Sequence, residues 1–191
     1  LEVRLMAFDV SAATAAGAQA LVDGVTEGQL AEVVALVNSM HTGKDFFEPL
    51  TVESLKERLG RDPQYGLGHL RGVTDGGKLV AVAGSWDKGA TTEQIHVDLA
   101  TGVETRSRGA VVTDWGWERD YETAFAGLLR SLAAGAQALG RDRLVICEPR
   151  PGMIPDPGLP REVIAVSLFT PSFDPPEADA IRGIYVDLLT L

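Results

Sequence analysis

Residues 109–148 of the chain read GAVVTDWGWERDYETAFAGLLRSLAAGAQALGRDRLVICE. The apolar run at Gly109–Trp117 predicts a buried strand, and a second run at Leu144–Glu148 predicts another. Between them, apolar residues recur with helical spacing over Tyr121–Leu139, and Gly140 is the expected helix stop. A strand, a helix and a second strand in this order form a crossover, so we expect the two strands to be parallel.

Upstream of this unit, the patterns predict a first strand, three helices and a hairpin. Alternation predicts the strand at Leu1–Val10, and the Ala-rich segment Ser11–Asp23 is expected to be helical. The other two helices are predicted from Thr26 to Gly43 and from Thr51 to Gly60. The hairpin is expected to join His69–Thr74 to Lys78–Trp86 through the turn Asp75-Gly76-Gly77.

The remaining segments are weaker or irregular. Within the polar stretch between the hairpin and the crossover, Ile95–Leu99 is expected to pair with Gly109–Trp117 as an extended hairpin. Pro149–Pro160 holds five of the ten prolines and predicts an irregular loop. Two closing strands are predicted at Val163–Phe169 and Ile184–Leu191.

These elements predict one α+β domain over residues 1–191, with helices flanking a mixed, mostly antiparallel sheet that contains one parallel crossover. The chain starts in strand-like sequence, so we expect it to be part of a longer polypeptide. A net charge of −10 disfavours nucleic acid and anionic membrane surfaces, and no apolar run is long enough to span a bilayer. A single cysteine, Cys147, excludes an internal disulfide and suits a cytoplasmic protein.

The order of elements resembles the GNAT superfamily of acetyl-CoA-dependent N-acetyltransferases over nearly the whole chain. The matching segments are GHLRGVTDGGKLVAVAGSWD, AVVTDWGW, AFAGLLRSLAAGAQALG, RLVICEP, AVSLFTP and GIYVDLL. The resemblance implies transfer of acetyl from acetyl-CoA to a small-molecule amine. It also implies an acetyl-CoA site in the gap between the two crossover strands, with the diphosphate on the amides at the start of the next helix. The cofactor-binding residues would then be Trp115, Gly116, Trp117, Arg119, Tyr121, Glu122 and Thr123.

The diphosphate turn departs from the family signature, which is Gln or Arg, two residues, Gly, one residue, and Gly or Ala. The stretch Glu118–Ala124 contains no glycine and three carboxylates. The segment Pro149–Pro155 also lacks a Tyr, Ser or Cys that would protonate the leaving thiolate. An alternative is therefore a non-catalytic GNAT-like module that stabilises a partner domain or a homodimer.

Asp114 and Glu118 flank the end of the central strand, where a carboxylate would accept a proton from the incoming amine. The structural alternative is that Asp114 stabilises a bulge and Glu118 favours the helix N-terminus. Trp115 and Trp117 alternate with Gly116, and they are expected either to line the ligand gap or to pack in the core. The three histidines lack metal-ligand spacing, so no metal site is predicted.

Overall fold

The computed structural model describes residues 2–13, 22–44, 46–61, 63–97 and 100–167. Its helices are α1 (Leu30–His41), α2 (Val52–Arg61) and α3 (Glu122–Ala138). Its strands are β1 (Glu2–Asp9), β2 (Val22–Gly24), β3 (Leu70–Asp75), β4 (Lys78–Trp86), β5 (Gln94–Val97), β6 (Glu104–Ser107), β7 (Gly109–Trp117), β8 (Arg143–Glu148) and β9 (Arg161–Ser167).

Seven of these strands form one sheet in the order β2-β3-β4-β7-β8-β1-β9. The β7–β8 pair is parallel and every other neighbouring pair in this sheet is antiparallel. The fold is therefore α+β with a mixed sheet, and the predicted parallel crossover through α3 is confirmed. The predicted hairpin is also confirmed, because Gly76 and Gly77 have positive φ between β3 and β4.

Apolar side chains form a separate core on each face of this sheet. On one face, α3 contributes Phe125, Leu128 and Leu129, which pack with Phe8 and Ile146 from the strands. On the other face, α1 and α2 pack on a second core, whose members include Leu30, Val33, Val37, Leu55, Leu59, Leu79 and Val82. The two cores fix α3 on one side of the sheet and the α1–α2 pair on the other.

The predicted N-terminal helix, Ser11–Asp23, is wrong in the part that the structure describes. Val10–Ala12 is a single 3-10 turn, and Val22–Gly24 is strand β2; residues 14–21 lie outside the described ranges. Pairing with β3 at the edge of the sheet satisfies the backbone of β2, and this outweighs the modest helix propensity of the local sequence.

The predicted partner of Ile95–Leu99 is also wrong. The described part of this segment belongs to β5, which pairs with β6 in a separate two-stranded sheet. Strand β7 instead lies between β4 on one side and β8 on the other. The strand beside β8 is β1, a placement that the sequence did not predict. The predicted strand Ile184–Leu191 and the last two residues of Val163–Phe169 lie outside the described residues.

A substitution at Gly116 tests the close contact between α1 and the sheet. A Cβ at Gly116 would lie 2.5 Å from the Leu36 carbonyl oxygen and 3.1 Å from the Val37 nitrogen. Because both atoms are helix backbone, we expect Gly116→Ala to lower the free energy of unfolding by about 2–3 kcal/mol in urea titrations. The matched control is Gly60→Ala in α2, where no described atom lies within 4 Å. It should raise stability by roughly 0.5–1 kcal/mol. Equal effects of the two variants would contradict the close-contact account.

Candidate functional site

Strands β7 and β8 stay paired over only part of their length. The parallel pairs are Gly109 with Arg143, Ala110 with Leu144, and Val111 with Val145. Beyond these pairs, β7 continues to Trp117 and β8 continues to Glu148. We call the space between residues 112–117 of β7 and 146–148 of β8 the wedge.

A β-bulge begins where the wedge opens. The register between β4 and β7 shifts between Gly84, which faces Thr113, and Val82, which faces Gly116. Asp114, inside this shift, has a φ of 46°, a left-handed conformation that costs on the order of 1 kcal/mol for a residue with a Cβ. The bulge turns Thr113 and Asp114 to the same side of the sheet, toward the α1–α2 layer.

The Asp114 carboxylate is buried and bonded on that side. Its Oδ1 lies 2.9 Å from Nε of Arg58 in α2, and its Oδ2 accepts a 2.7 Å hydrogen bond from the Tyr65 hydroxyl. Thr113 Oγ1 donates to the same hydroxyl oxygen at 2.8 Å. A Cβ at Gly84 would lie only 1.9 Å from that oxygen, so the glycine makes room for it. We call Arg58, Tyr65, Thr113 and Asp114 the bulge cluster.

Burial raises the pKa of Tyr65 well above its usual value, and the neighbouring charge of Asp114 raises it further. Tyr65 therefore stays a neutral hydrogen-bond donor at ordinary pH. Both carboxylate oxygens of Asp114 are engaged inside the protein, which fits the structural alternative of a bulge-stabilising residue. Its role as a catalytic base stays a prediction.

His41, the last residue of α1, completes the support of the bulge. Its Nε2 lies 2.9 Å from the Trp115 carbonyl oxygen, and because a carbonyl only accepts, Nε2 carries the hydrogen. Burial and, to a smaller extent, the charge of Lys44 lower the pKa of His41 to about 3, although the bond to Trp115 opposes the shift. His41 is therefore a neutral donor to the backbone just after the bulge.

The two tryptophans of β7 pack in the core, which was one of the two arrangements expected from the sequence. Trp115 and Trp117 stack with ring centroids 5.7 Å apart, and Trp117 stacks on Phe125 of α3 at 4.3 Å. Both indoles are buried in the α3-side core, while Gly116 between them faces α1. The tryptophans therefore form the α3-side wall of β7 beside the wedge.

The turn into α3 carries the remaining predicted site residues. Glu118 pairs with Lys78 at the start of β4, and the Tyr121 hydroxyl donates to Asp75 at 2.6 Å. The N–H of Tyr121, one of the predicted cofactor-binding residues, donates to the Glu118 carbonyl at 3.1 Å and is therefore not an open donor for a diphosphate. The amides of Glu122 and Thr123 are the first two of the helix and have no partner within it.

The charges around these amides have both signs. Arg119 is exposed beside the helix start, whereas Asp120 and Glu122 are exposed carboxylates in the same turn. Glu118 is neutralised by Lys78. The helix dipole and Arg119 favour an anion here, and the exposed carboxylates of Asp120 and Glu122 disfavour one.

The structure does not bring the two predicted catalytic carboxylates together. Asp114 points into the α1–α2 layer, and Glu118 lies at the Lys78 end of the hairpin with a side chain that is 33% exposed. Sequence reasoning missed Arg58, Tyr65 and His41 as supports of the strand. Tyr65 lies 49 positions from Asp114, and His41 lies 74 positions from Trp115, so no local spacing signals either contact.

Other site classes find no support within the described ranges. No group of three or more His, Cys, Asp or Glu side chains there is arranged to hold a metal ion. None of the described helices has the length and apolar character needed to cross a bilayer. The Cys147 thiol is buried.

No family model matches this chain, and no curated protein matches it. Among solved structures, the chain is similar to a functionally unknown conserved protein from Staphylococcus epidermidis ATCC 12228, with 9% identity and a TM-score of 0.44. The similarity covers 77% of this chain and 50% of that one, so the chain spans about half the length of this neighbour.

The bulge cluster predicts strong coupling between Arg58 and Asp114. Arg58→Met leaves a buried carboxylate without its cation, and we expect it to lower the free energy of unfolding by about 3–5 kcal/mol. Arg58→Met combined with Asp114→Asn should cost less than the sum of the single variants, which a double-mutant cycle in urea measures. The control is Arg143→Met, whose exposed pair with Glu162 should be worth less than about 1 kcal/mol. Strict additivity at Arg58 and Asp114 would contradict the coupling.

The lowered pKa of His41 predicts a pH dependence of stability. An unfolded His takes up a proton below about pH 6.5, whereas buried His41 does so only near pH 3. The stability contributed by the neutral ring is therefore complete above pH 6.5 and is lost as the pH falls toward 3. Between pH 7 and 5.5 the loss should be about 1 kcal/mol, and His41→Gln should lose less over the same interval. An imidazole NMR titration midpoint near 6.5 for His41 would contradict this.

Proposed function

We propose that this domain is an N-acyltransferase of the GNAT type that transfers acetyl from acetyl-CoA to a small-molecule amine. The observation that carries the proposal is the wedge, where two parallel strands joined by a helical crossover stop pairing next to a supported bulge. An extended thioester arm needs such a space, because it lies between strands and pairs with backbone groups that have no strand partner. The GNAT-like form of the fold belongs to the same proposal.

The turn into α3 would hold the diphosphate. The amides of Glu122 and Thr123 and the guanidinium of Arg119 supply donors and positive charge at the end of β7. Asp120 and Glu122 place negative charge in the same turn, and a turn without glycine cannot close as tightly on phosphate oxygens. The residues therefore fit the group, with an affinity reduced by these two carboxylates.

Acetyl-CoA, when bound, supplies the activated thioester. The chain's own task is to orient the amine and to accept its proton as the N–C bond forms and the C–S bond breaks. Glu118 is the candidate base, because it lies directly after the wedge strand and its side chain is partly exposed. Asp114 would act by positioning, since it holds the bulge that opens the wedge.

A second candidate is the non-catalytic module that stabilises a partner domain or a homodimer. The observation in its favour is that both carboxylate oxygens of Asp114 are engaged, by Arg58 and by Tyr65, which argues against one of the two predicted bases. The missing Tyr, Ser or Cys in Pro149–Pro155 supports it as well. For either function we propose a cytoplasmic location, in keeping with the single buried cysteine.

Isothermal titration with acetyl-CoA separates the two functions. For the wild type we expect weak binding, and the double variant Asp120→Asn with Glu122→Gln should bind several-fold more tightly because two repulsive charges are gone. Arg119→Gln should bind more weakly, and Glu53→Gln on α2 is the control that should change nothing. Glu118→Gln should then retain binding and lose acetyl transfer to a panel of amines.

Absence of heat at millimolar acetyl-CoA in the wild type and in the double variant would contradict the acyltransferase proposal and favour the module. If Glu118→Gln transfers acetyl as fast as the wild type, Glu118 is not the base, although the proposed acetyl-CoA site is not contradicted.

A further inference from the structure

A second cavity lies on the α3 face of the sheet, away from the wedge. It has a volume of about 440 Å³ and is bounded by the second half of α3 and by strands β2, β3, β4 and β7. It opens to solvent on one side, and its volume falls in the range of about 300–1,000 Å³ that is usual for small-molecule sites.

Small side chains on the facing elements create this space. Ala110 of β7 and Ser85 of β4 face Ser131, Gly135 and Ala136 of α3. Gly135 lies inside the helix, where it costs on the order of 1 kcal/mol relative to alanine, and no described atom lies within 4 Å of its missing Cβ. No close backbone approach therefore explains the glycine, and its effect is to enlarge the cavity.

The cavity has an apolar floor and a cationic rim. Leu132, Ala136 and Val22 supply apolar surface, and Arg71 lies at the rim. The Arg71 guanidinium is held in place because Nη1 donates to the carbonyls of Gly68 and Leu70, the latter at 3.1 Å. It keeps further N–H groups that can donate to a ligand.

His69 and Asp87 line the cavity together with Arg71, and they influence which ligand charge the rim can bind. His69 Nδ1 accepts from the Gly66 N–H at 3.0 Å, so in the neutral ring Nε2 is the donor. Among the described residues that line the cavity, Asp87 is the one carboxylate, and a bidentate pair with Arg141 at 2.5 and 2.8 Å neutralises it. The rim therefore carries a net positive charge on a chain whose net charge is −10.

We propose that this cavity binds a small amphiphilic monocarboxylate, with its carboxylate on Arg71 and its apolar body against Leu132 and Ala136. A single guanidinium matches one negative charge and two oxygens. The guanidinium of Arg141 is already bound to Asp87, which leaves Arg71 to balance one negative charge, so a monoanion is favoured over a dianionic phosphate. The site is independent of the proposed acyltransferase function, because it shares no residue with the wedge.

The test is a titration of the ¹⁵N-labelled chain with octanoate, followed by amide chemical shifts, with 1-octanol as the uncharged match. We expect saturable shifts at Arg71, Ser131 and Gly135 with octanoate and a much weaker response to octanol. Arg71→Met should weaken octanoate binding by about tenfold or more, and Arg71→Lys should retain part of it. The exposed Arg161→Met is the control and should bind like the wild type.

Ala136→Leu fills the floor of the cavity and provides a test that does not depend on charge. It should abolish octanoate binding while circular dichroism shows a folded protein with an unchanged or higher melting temperature. Equal binding of octanoate and octanol, undiminished binding in Arg71→Met, or shifts confined to residues 112–117 would each overturn the proposal. The last outcome would assign the octanoate to the wedge instead.

Discussion

The ion pair between Arg58 and Asp114 is the interaction on which the arrangement of this domain depends. Both groups are withdrawn from water, and a buried charge without a partner would cost several kcal/mol. Asp114 also has a left-handed backbone that a non-glycine residue adopts only when its surroundings hold it there. Arg58 and Tyr65 supply that support from α2 and from the segment after it, so a helix on one face determines the path of the central strand.

The consequences of the bulge extend along β7. By turning Asp114 to the same side as Thr113, the bulge reverses the alternation of every later residue in the strand. Trp115 and Trp117 consequently pack with Phe125 in the α3-side core, and Gly116 meets the backbone of α1. Without the bulge, the indoles would face α1, where the space beside Gly116 cannot hold even a methyl group.

The sequence predicted what local patterns determine and missed what long-range contacts determine. Apolar runs and helical spacing predicted β7, α3 and β8 and their parallel order, because a crossover leaves little choice of direction. The helix prediction for the Ala-rich segment was wrong, because the local sequence does not show that Val22–Gly24 pairs with β3 at the edge of the sheet. For the same reason the sequence indicated that Asp114, near the end of β7, could be a catalytic base. Its partners Arg58 and Tyr65 are distant in the sequence, and no local pattern connects them to Asp114.

Helix α3 forms one wall of both candidate sites, and its length keeps them apart. Glu122 begins the helix beside the wedge, whereas Ala136 lies in the floor of the second cavity, fourteen residues and about 21 Å further along. Contacts separated by more than about 10 Å usually contribute independently to stability and binding. Filling the cavity at Ala136 should therefore leave the wedge and its bulge cluster undisturbed. Because the bulge cluster is held by α2 from the opposite face, the shape of the wedge depends on Arg58 and Tyr65 and not on what occupies the far end of α3.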